Sequence, residues 1–261
     1  MRVKGIRTTN SVAVGDKVEV LHQDGADNAF ITQVTERRNC IIRKATNLSK
    51  ESHLIAANID QSILVLSMKN PLVPLGFIDR YLITATSFEV PVVLVFNKID
   101  IYDEKAMSVY AEYRFIYERL GYKCIELSAE KGFNLDKLFQ IIEGKVTLFS
   151  GQSGVGKSTL LNAIAPALQL KTAAVSDYNE KGKHTTTFAE MFALGQETFI
   201  IDTPGIKDFG LIQFKYEELA LYFSEMKELL HECKYYNCTH LHEPGCAVKL
   251  AVERGEIASS R

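Results

Sequence analysis

The spacing of apolar residues divides the chain into three parts and predicts short strands in the first. Apolar and polar positions alternate over residues 12–20, and shorter apolar runs follow at 30–34 and 40–43. Alternation with a period of two predicts strands with one buried face. Turn-rich connections separate these runs, which is typical of a small β-barrel such as the oligonucleotide-binding (OB) barrel. We assign residues 1–56 to this first domain.

From about residue 57, continuous apolar runs alternate with segments of helical spacing. The runs predict strands buried on both faces, at 63–66, 92–96, 124–127, 146–149 and 198–201, with a further strand at 188–194. The helical segments lie at 76–88, 111–120 and 135–142. Repeated β-α-β units predict an α/β fold with a mostly parallel sheet, whose ligands bind at the carboxyl ends of the strands. This second domain spans 57–210, and a small helical, cysteine-rich domain spans 211–261.

Composition narrows the class of protein. Of the 261 residues, 46% are apolar and 24% are charged, which is typical of a globular protein with a sizeable core. No apolar run approaches the length of a membrane span, and the first residues lack the apolar core of a signal peptide, so we expect a cytoplasmic protein without a membrane partner. Residues 1–50 carry nine Lys/Arg against five Asp/Glu, which indicates a polyanionic partner or a solvated basic face.

A phosphate-binding motif lies between the apolar run at 146–149 and the helical residues that follow it. The motif G-x-x-x-x-G-K-[ST] begins at Gly151 and ends at Ser158. Its backbone N–H groups and the following helix N-terminus can surround a phosphate. Lys157 would contact the β- and γ-phosphates, and the Ser158 hydroxyl would hold Mg²⁺. The predicted phosphate site comprises Gly151, Gln152, Ser153, Gly154, Val155, Gly156, Lys157, Ser158 and Thr159.

A guanine signature follows the predicted strand at 92–96. The motif N-K-x-D is formed by Asn97, Lys98, Ile99 and Asp100. The Asp100 carboxylate can accept from both N1–H and the exocyclic amine of guanine, a donor pair that adenine lacks. We expect Asn97 to approach the base edge and the Lys98 stem to pack over the base or brace the loop. The backbone at Ser128 and Ala129, after the next strand, fits the guanine carbonyl.

Two further stretches complete a nucleotide switch. Asp202 begins a D-T-P-G sequence and would hold Mg²⁺ through water, while the Gly205 N–H would contact the γ-phosphate. In the polar loop 181–187 a threonine should close over Mg²⁺. Thr186 is our prediction for this residue, with Thr185 and Thr187 as alternatives.

The order of these motifs is circularly permuted. GTPases ordinarily run from the phosphate loop through the switches to N-K-x-D, whereas here N-K-x-D comes first. The permutation places the D-T-P-G switch next to the C-terminal segment, which can therefore respond to the γ-phosphate. Ile206 occupies the position where Ras-like enzymes carry a water-orienting glutamine. We therefore predict that His184 orients the attacking water, beside Lys157 and Thr186, with loop stabilisation as the alternative role of His184.

A metal site is predicted from the cysteines. The chain has five, and Cys233, Cys238 and Cys246 lie close together in sequence. With His240 or His242 they form a Cys₃His set, which is typical of a closed, structural zinc site without a catalytic water. The alternative is a set of buried cysteines and surface histidines. Cys40 and Cys124 fall on strand patterns and are predicted to be core residues.

The permuted order, the loop Gly-Gln-Ser-Gly-Val-Gly-Lys-Ser, the stretch Lys-His-Thr-Thr-Thr and the pattern Cys-x4-Cys-Thr-His-x5-Cys together resemble one family over nearly the whole chain. It is the RsgA/YjeQ family of small ribosomal subunit biogenesis GTPases. The resemblance implies an OB domain, a permuted GTPase domain and a zinc domain with His240 as the fourth ligand. It also implies a monomer that binds the 30S subunit and its 16S rRNA, hydrolyses GTP to GDP when stimulated by the ribosome, and acts late in subunit maturation.

Both ends of the chain depart from the family pattern. The chain opens inside the first half of the expected barrel and stops before an expected helix, so we expect an incomplete barrel and a shortened third domain.

Two other functions are alternatives to a ribosome biogenesis GTPase. A nucleotide-gated RNA-binding module with incidental hydrolysis is the first alternative. An ATP-using P-loop kinase is the second, and the guanine signature opposes it.

Overall fold

The computed structural model describes residues 11–22, 28–44, 52–170, 189–195, 197–203 and 216–261, and the description below is confined to them. The N-terminal part holds four strands: β1 (Val18–His22), β2 (Ala29–Val34), β3 (Cys40–Lys44) and β4 (Ser52–Ala57). Strand β1 pairs with β2, and β3 with β4, in two separate antiparallel sheets. Within the described residues these strands therefore form two small sheets and not one continuous barrel.

Strand β1 starts later than the alternation over 12–20 predicts, because the chain turns at Gly15. Gly15 has φ of +87°, and a Cβ there would lie 2.1 Å from the carbonyl oxygen of Ala57. This close approach lets Val14 form a bridge to Ala56, so the segment packs against β4 before β1 begins. Strand β4 itself was not predicted. It lies at the predicted boundary between the first two domains.

A six-stranded sheet forms the centre of the molecule. Its strands are β5 (Gln61–Leu66), β6 (Val92–Phe96), β7 (Lys123–Glu126), β8 (Val146–Gly151), β9 (Glu190–Gly195) and β10 (Thr198–Asp202). Their order is β7-β6-β5-β8-β10-β9, and only β9 pairs in an antiparallel sense. All six residues of β5 are buried, as continuous apolar strands of a parallel sheet require. The predicted mixed α/β fold with a mostly parallel sheet is confirmed.

Four helices accompany this sheet: α1 (Leu75–Ser87), α2 (Glu104–Arg119), α3 (Leu135–Ile142) and α4 (Lys157–Ile164). Helix α2 begins seven residues before its predicted start. Asp103 explains the earlier start, because its carboxylate accepts a 2.9 Å hydrogen bond from the Ala106 N–H and so caps the first turn. The core of the domain includes Phe77, Tyr81 and Phe149, each at most 1% exposed.

The C-terminal part is built from short helical pieces. They are the 3₁₀ segments Tyr216–Tyr222 and Leu230–Glu232 and the helices α5 (Ser224–Lys227) and α6 (Ala247–Glu253). A small core of Cys246, Val248, Ala251 and Ile257 holds them together. In the part of the chain that the structure describes, no helix has the length and apolarity needed to cross a membrane.

Polar contacts connect the N-terminal and C-terminal parts to the central domain. On the N-terminal side, Arg38 donates to the Asp60 carboxylate at 2.7 Å, and the Asp60 carboxylate accepts at 2.7 Å from the N–H of Val146. These contacts lie at the amino end of the parallel strands, away from the predicted nucleotide site. On the C-terminal side, Arg261 donates to Asp79 of α1 and to Glu225 of α5.

Candidate functional site

The predicted phosphate loop connects β8 to α4 at the carboxyl end of the sheet. Gly151 is the last residue of β8, and Lys157 is the first residue of α4. Gly156 caps the helix with φ of +91°, and a Cβ there would lie 2.5 Å from Nδ2 of Asn97. A side chain at Gly156 would therefore both strain the backbone and displace Asn97. Ser158 and Thr159, which complete the predicted set, occupy the first turn of α4.

The lysine of this loop contacts the acidic residue at the end of β10. Lys157 Nζ donates to Oδ1 of Asp202, and both side chains are buried. Strand pairing brings the two together, since Asp202 lies opposite Phe149 on β8. The next residue, Thr203, is fixed by a 2.8 Å hydrogen bond from its hydroxyl to the Phe149 carbonyl. The cation predicted to bind phosphate and the carboxylate predicted to bind magnesium are therefore in contact, and both are buried.

The Asn97 side chain of the guanine signature connects neighbouring loops, and its predicted approach to the base edge remains a prediction. Its Nδ2 donates to the carbonyl of Val155 at 2.9 Å, and its Oδ1 accepts from the N–H of Ala129 at 3.0 Å. The side chain is 2% exposed. Because both ends of the amide are engaged with backbone, Asn97 joins three loops: the guanine signature, the phosphate loop and the loop at 128–129.

Lys98 also braces the loops, which is one of the two roles predicted for it. Its Nζ donates to the carbonyls of Gly154 and Asn70, each at 2.6 Å. Burial lowers the pKa of Lys98. The turn around Asn70 follows β5, and nothing in its sequence marks it as part of the site. Through Lys98, the structure connects this turn to the phosphate loop.

The remaining predicted base contacts lie just after the carboxyl ends of β6 and β7. Ile99 begins a 3₁₀ turn over Ile99–Ile101, and the Asp100 side chain on that turn is exposed. Ser128 is fully buried and pairs through its backbone with Phe133. The predicted contacts of Asp100 and Ser128 with the base remain predictions.

Several predicted residues lie outside the described part of the chain. They are His184, Thr186 and its alternatives Thr185 and Thr187, Gly205, and Ile206. The predicted water-orienting, magnesium-closing and γ-phosphate-contacting roles therefore remain predictions.

The predicted metal ligands come together in the C-terminal part. The ligand atoms of Cys233, Cys238, His240 and Cys246 all lie within 4.8 Å of one another. His240 Nδ1 is 3.3 Å from the Cys246 sulfur and 3.8 Å from the Cys233 sulfur. The set includes His240 and leaves the exposed His242 outside, so the geometry favours His240 of the two candidates. Three thiols and one imidazole at this spacing are consistent with a metal site.

The environment of these ligands suits a bound cation. Burial lowers the pKa of His240, and the neutral imidazole is the form that binds metal. Burial and the neighbouring thiols raise the pKa of Cys238 to about 11, because thiolates held this close together repel one another. A bound divalent cation would stabilise the thiolate form.

Glu243 was missed by sequence reasoning. Its Oε1 accepts from the Thr239 N–H at 3.0 Å and its Oε2 from the Leu241 N–H at 3.2 Å, which holds the turn that carries His240. An acidic residue three positions after a candidate ligand gives no signal of this role. Cys40 and Cys124, by contrast, are buried in the core as predicted.

Comparison with known proteins gives a consistent result. A family model described as "RsgA GTPase" matches residues 34–212. The Small ribosomal subunit biogenesis GTPase RsgA 2 of Bacteroides thetaiotaomicron is 51% identical over 261 residues, which is 100% of this chain and 84% of the relative. A Small ribosomal subunit biogenesis GTPase RsgA of Flavobacterium johnsoniae is 46% identical and covers 100% of this chain and 81% of the relative.

Two solved structures resemble the fold closely. YjeQ from Thermotoga maritima has a TM-score of 0.77 and 36% sequence identity, over 96% of this chain and 80% of that one. YloQ, described as a circularly permuted GTPase, has a TM-score of 0.69 and 28% identity, over 98% of this chain and 79% of that one. The likeness extends beyond the permuted sheet, because it takes in nearly all of the chain.

Proposed function

This chain belongs to the RsgA family of small ribosomal subunit biogenesis GTPases, and we propose that it binds the 30S subunit and its 16S rRNA and times a late maturation step by its nucleotide state. As a member of that family it is a GTP hydrolase, which converts GTP and water to GDP and phosphate. The proposal further places it in the cytoplasm as a monomer.

The observation that carries the proposal is the bridge made by Asn97. One amide holds the phosphate loop at Val155 and the base-side loop at Ala129, so the two halves of a guanine nucleotide site are fixed at one distance. Asp100, on the adjoining turn, accepts from the two donors of guanine. Because these loops are already held in place, nucleotide binding does not carry the free-energy cost of ordering the loops.

Hydrolysis requires Lys157 to exchange partners. In the structure its ammonium contacts Asp202, and in the nucleotide complex it moves to the β- and γ-phosphates. Ser158 and Thr186 would hold Mg²⁺ directly and Asp202 through water, and the ion would neutralise charge on the phosphate oxygens. The Gly205 N–H contacts the γ-phosphate. His184 would orient the attacking water when the protein is bound to the ribosome.

The Cys₃His set is assigned one structural zinc ion. Its thiolates and imidazole match the preference of zinc for sulfur and nitrogen, and four protein ligands leave no open position for a reacting water. Holding the ion, these four ligands would stabilise a C-terminal part whose own core is small.

Turnover measurements with and without 30S subunits test this function. We expect purified 30S subunits to raise the GTP turnover rate, and 30S pull-down to be stronger with a non-hydrolysable GTP analogue than with GDP across a range of salt concentrations. Equal turnover with and without subunits would support an RNA-binding module with incidental hydrolysis. Displacement of bound GTP by equimolar ATP would support the kinase alternative.

The role of His184 needs its own variant. His184→Ala should bind GTP normally and lose the ribosome-stimulated part of turnover. A near-normal stimulated rate would leave His184 with a loop-stabilising role only.

A further inference from the structure

A tyrosine just after the guanine signature holds the backbone of that signature. The Tyr102 hydroxyl donates to the Asn97 carbonyl at 2.8 Å and accepts from the Met68 N–H at 2.9 Å. The two backbone groups belong to neighbouring strand ends, since Asn97 follows β6 and Met68 follows β5. One hydroxyl therefore ties these two strand ends together.

This hydroxyl is part of a larger clasp between the 67–71 turn and the 97–103 segment. Lys98 donates to the Asn70 carbonyl, and Lys69 pairs with Asp103 at 2.7 Å. The Tyr102 hydroxyl bonds the Asn97 carbonyl, and the Asn97 N–H donates to the Leu66 carbonyl at 2.8 Å. Since the Asn97 side chain holds both the phosphate loop and Ala129, a shift in the Asn97 backbone would be felt in all three loops.

The chemistry of the contact makes it hard to replace. Met68 is 4% exposed and Asn97 is 2% exposed, so water has little access to either backbone group. Only a group that donates and accepts at once can satisfy both, and burial raises the pKa of Tyr102, which keeps its proton available for donation. A buried backbone group that loses its partner carries a desolvation penalty.

We propose that Tyr102 is a positioning residue for guanine recognition: its hydroxyl fixes the 97–100 segment so that Asp100 meets both donors of the guanine edge. The proposal rests on the proposed recognition of guanine by Asp100. No sequence signal pointed to Tyr102, because an aromatic residue two positions beyond the motif also fits a core role.

Tyr102→Phe removes the hydroxyl and keeps the ring in its contact with Tyr110. We expect GDP affinity to fall by about tenfold. IDP lacks the exocyclic amine and makes only one of the two Asp100 bonds, so its affinity should fall less and the ratio of GDP to IDP affinity should narrow. Tyr110→Phe is the matched control: it also removes a hydroxyl, one bonded to Glu126 and Arg114, and should leave the ratio unchanged.

The outcomes separate this proposal from the one it rests on. If the unaltered protein binds GDP and IDP equally well, recognition by Asp100 fails. If the unaltered protein discriminates and Tyr102→Phe keeps both affinities, or loses thermal stability with an unchanged ratio, Tyr102 is a structural residue and the positioning role is overturned.

Amide hydrogen exchange in the unaltered protein provides a measurement that does not depend on the variant folding. The Met68 N–H should exchange slowly, and GDP should slow it further as the clasp tightens. Exchange of the Met68 N–H at the rate of an unprotected amide would overturn the proposal, because the hydroxyl contact would then be absent in solution.

Discussion

Lys157 and Asp202 form an ion pair in which the two side chains are 8% and 9% exposed. In the proposed nucleotide complex each would have another partner: Lys157 the phosphates and Asp202 a hydrated Mg²⁺. The pair therefore keeps two buried charges compensated until a nucleotide arrives. Nucleotide binding as proposed would exchange these charge contacts for others and leave neither charge buried alone.

Breaking this pair on one side should destabilise the protein without nucleotide. Lys157→Met leaves the Asp202 carboxylate buried without its cation, and we expect the free energy of unfolding to fall by about 3–5 kcal/mol. The double variant Lys157→Met/Asp202→Asn should recover most of this loss, while neither variant hydrolyses GTP. Urea unfolding and turnover assays check both points. Equal stability of the single and double variants would contradict the pairing.

The second prediction concerns base preference. Asp100→Asn replaces the carboxylate that we propose accepts from two guanine donors with an amide that offers a donor of its own. We expect GTP affinity to fall by about 100-fold or more, and XTP affinity to rise because xanthine presents a carbonyl where guanine has an amine. Competition binding with GTP, XTP and ATP measures the change. Asp136→Asn, at an exposed carboxylate in the first turn of α3, is the control and should alter none of the three affinities.

Sequence alone predicted those parts of the site that depend on local order. The strand–loop–helix around Gly151–Ser158 and the place of Asn97–Asp100 directly after a strand follow from motifs in which the contacting groups are close in sequence. The bracing role of Asn97 was not predicted, because its partner Val155 is 58 residues away and meets it only after β6 and β8 take their places in the sheet.

The N-terminal part shows a second limit of sequence patterns. The short apolar runs at 30–34 and 40–43 predicted β2 and β3 correctly but could not say which strands pair. The β1–β2 hairpin is largely exposed, with Phe30 at 60%, whereas Ile41 and Leu54 of the β3–β4 pair are buried. Pairing depends on contacts such as that of Gly15 with Ala57, which no periodicity encodes.

The third prediction tests the metal site. Cys246 is buried, caps α6 and lies in the ligand set, so Cys246→Ser should lose bound zinc and lower the temperature at which the C-terminal part unfolds. Metal content by mass spectrometry and thermal unfolding with and without a chelator are the measurements. Cys124→Ala, at a core cysteine outside the set, should keep its zinc.

The two histidines separate the candidate fourth ligands. His240→Ala should lose zinc as Cys246→Ser does, whereas His242→Ala should retain it. Retention of zinc by His240→Ala together with its loss in His242→Ala would reverse the assignment.

The last prediction concerns the joint between the sheet domain and the C-terminal part. Arg261 lies between two carboxylates, Asp79 and Glu225, and the Tyr117 hydroxyl donates to Asp79 at 2.7 Å. Arg261→Gln should lower the free energy of unfolding by about 3–5 kcal/mol at neutral pH, because it leaves two buried like charges together. Arg119→Gln is the control: Arg119 spans the same joint but is exposed, so its loss should cost less than about 0.5 kcal/mol.

The pH dependence of the Arg261→Gln effect follows from Asp79. Burial raises the pKa of Asp79 above its ordinary value of 3.8 even with Arg261 present, so the folded state binds this proton more tightly than the unfolded state does. The contribution of Asp79 to stability therefore falls as pH rises from 3.8 through the folded pKa. Loss of Arg261 raises that pKa further, and the stability difference between variant and parent should shrink as the pH is lowered. Chemical unfolding at a series of pH values measures this difference, and a difference that stays constant or grows toward low pH would show that Arg261 does not neutralise Asp79.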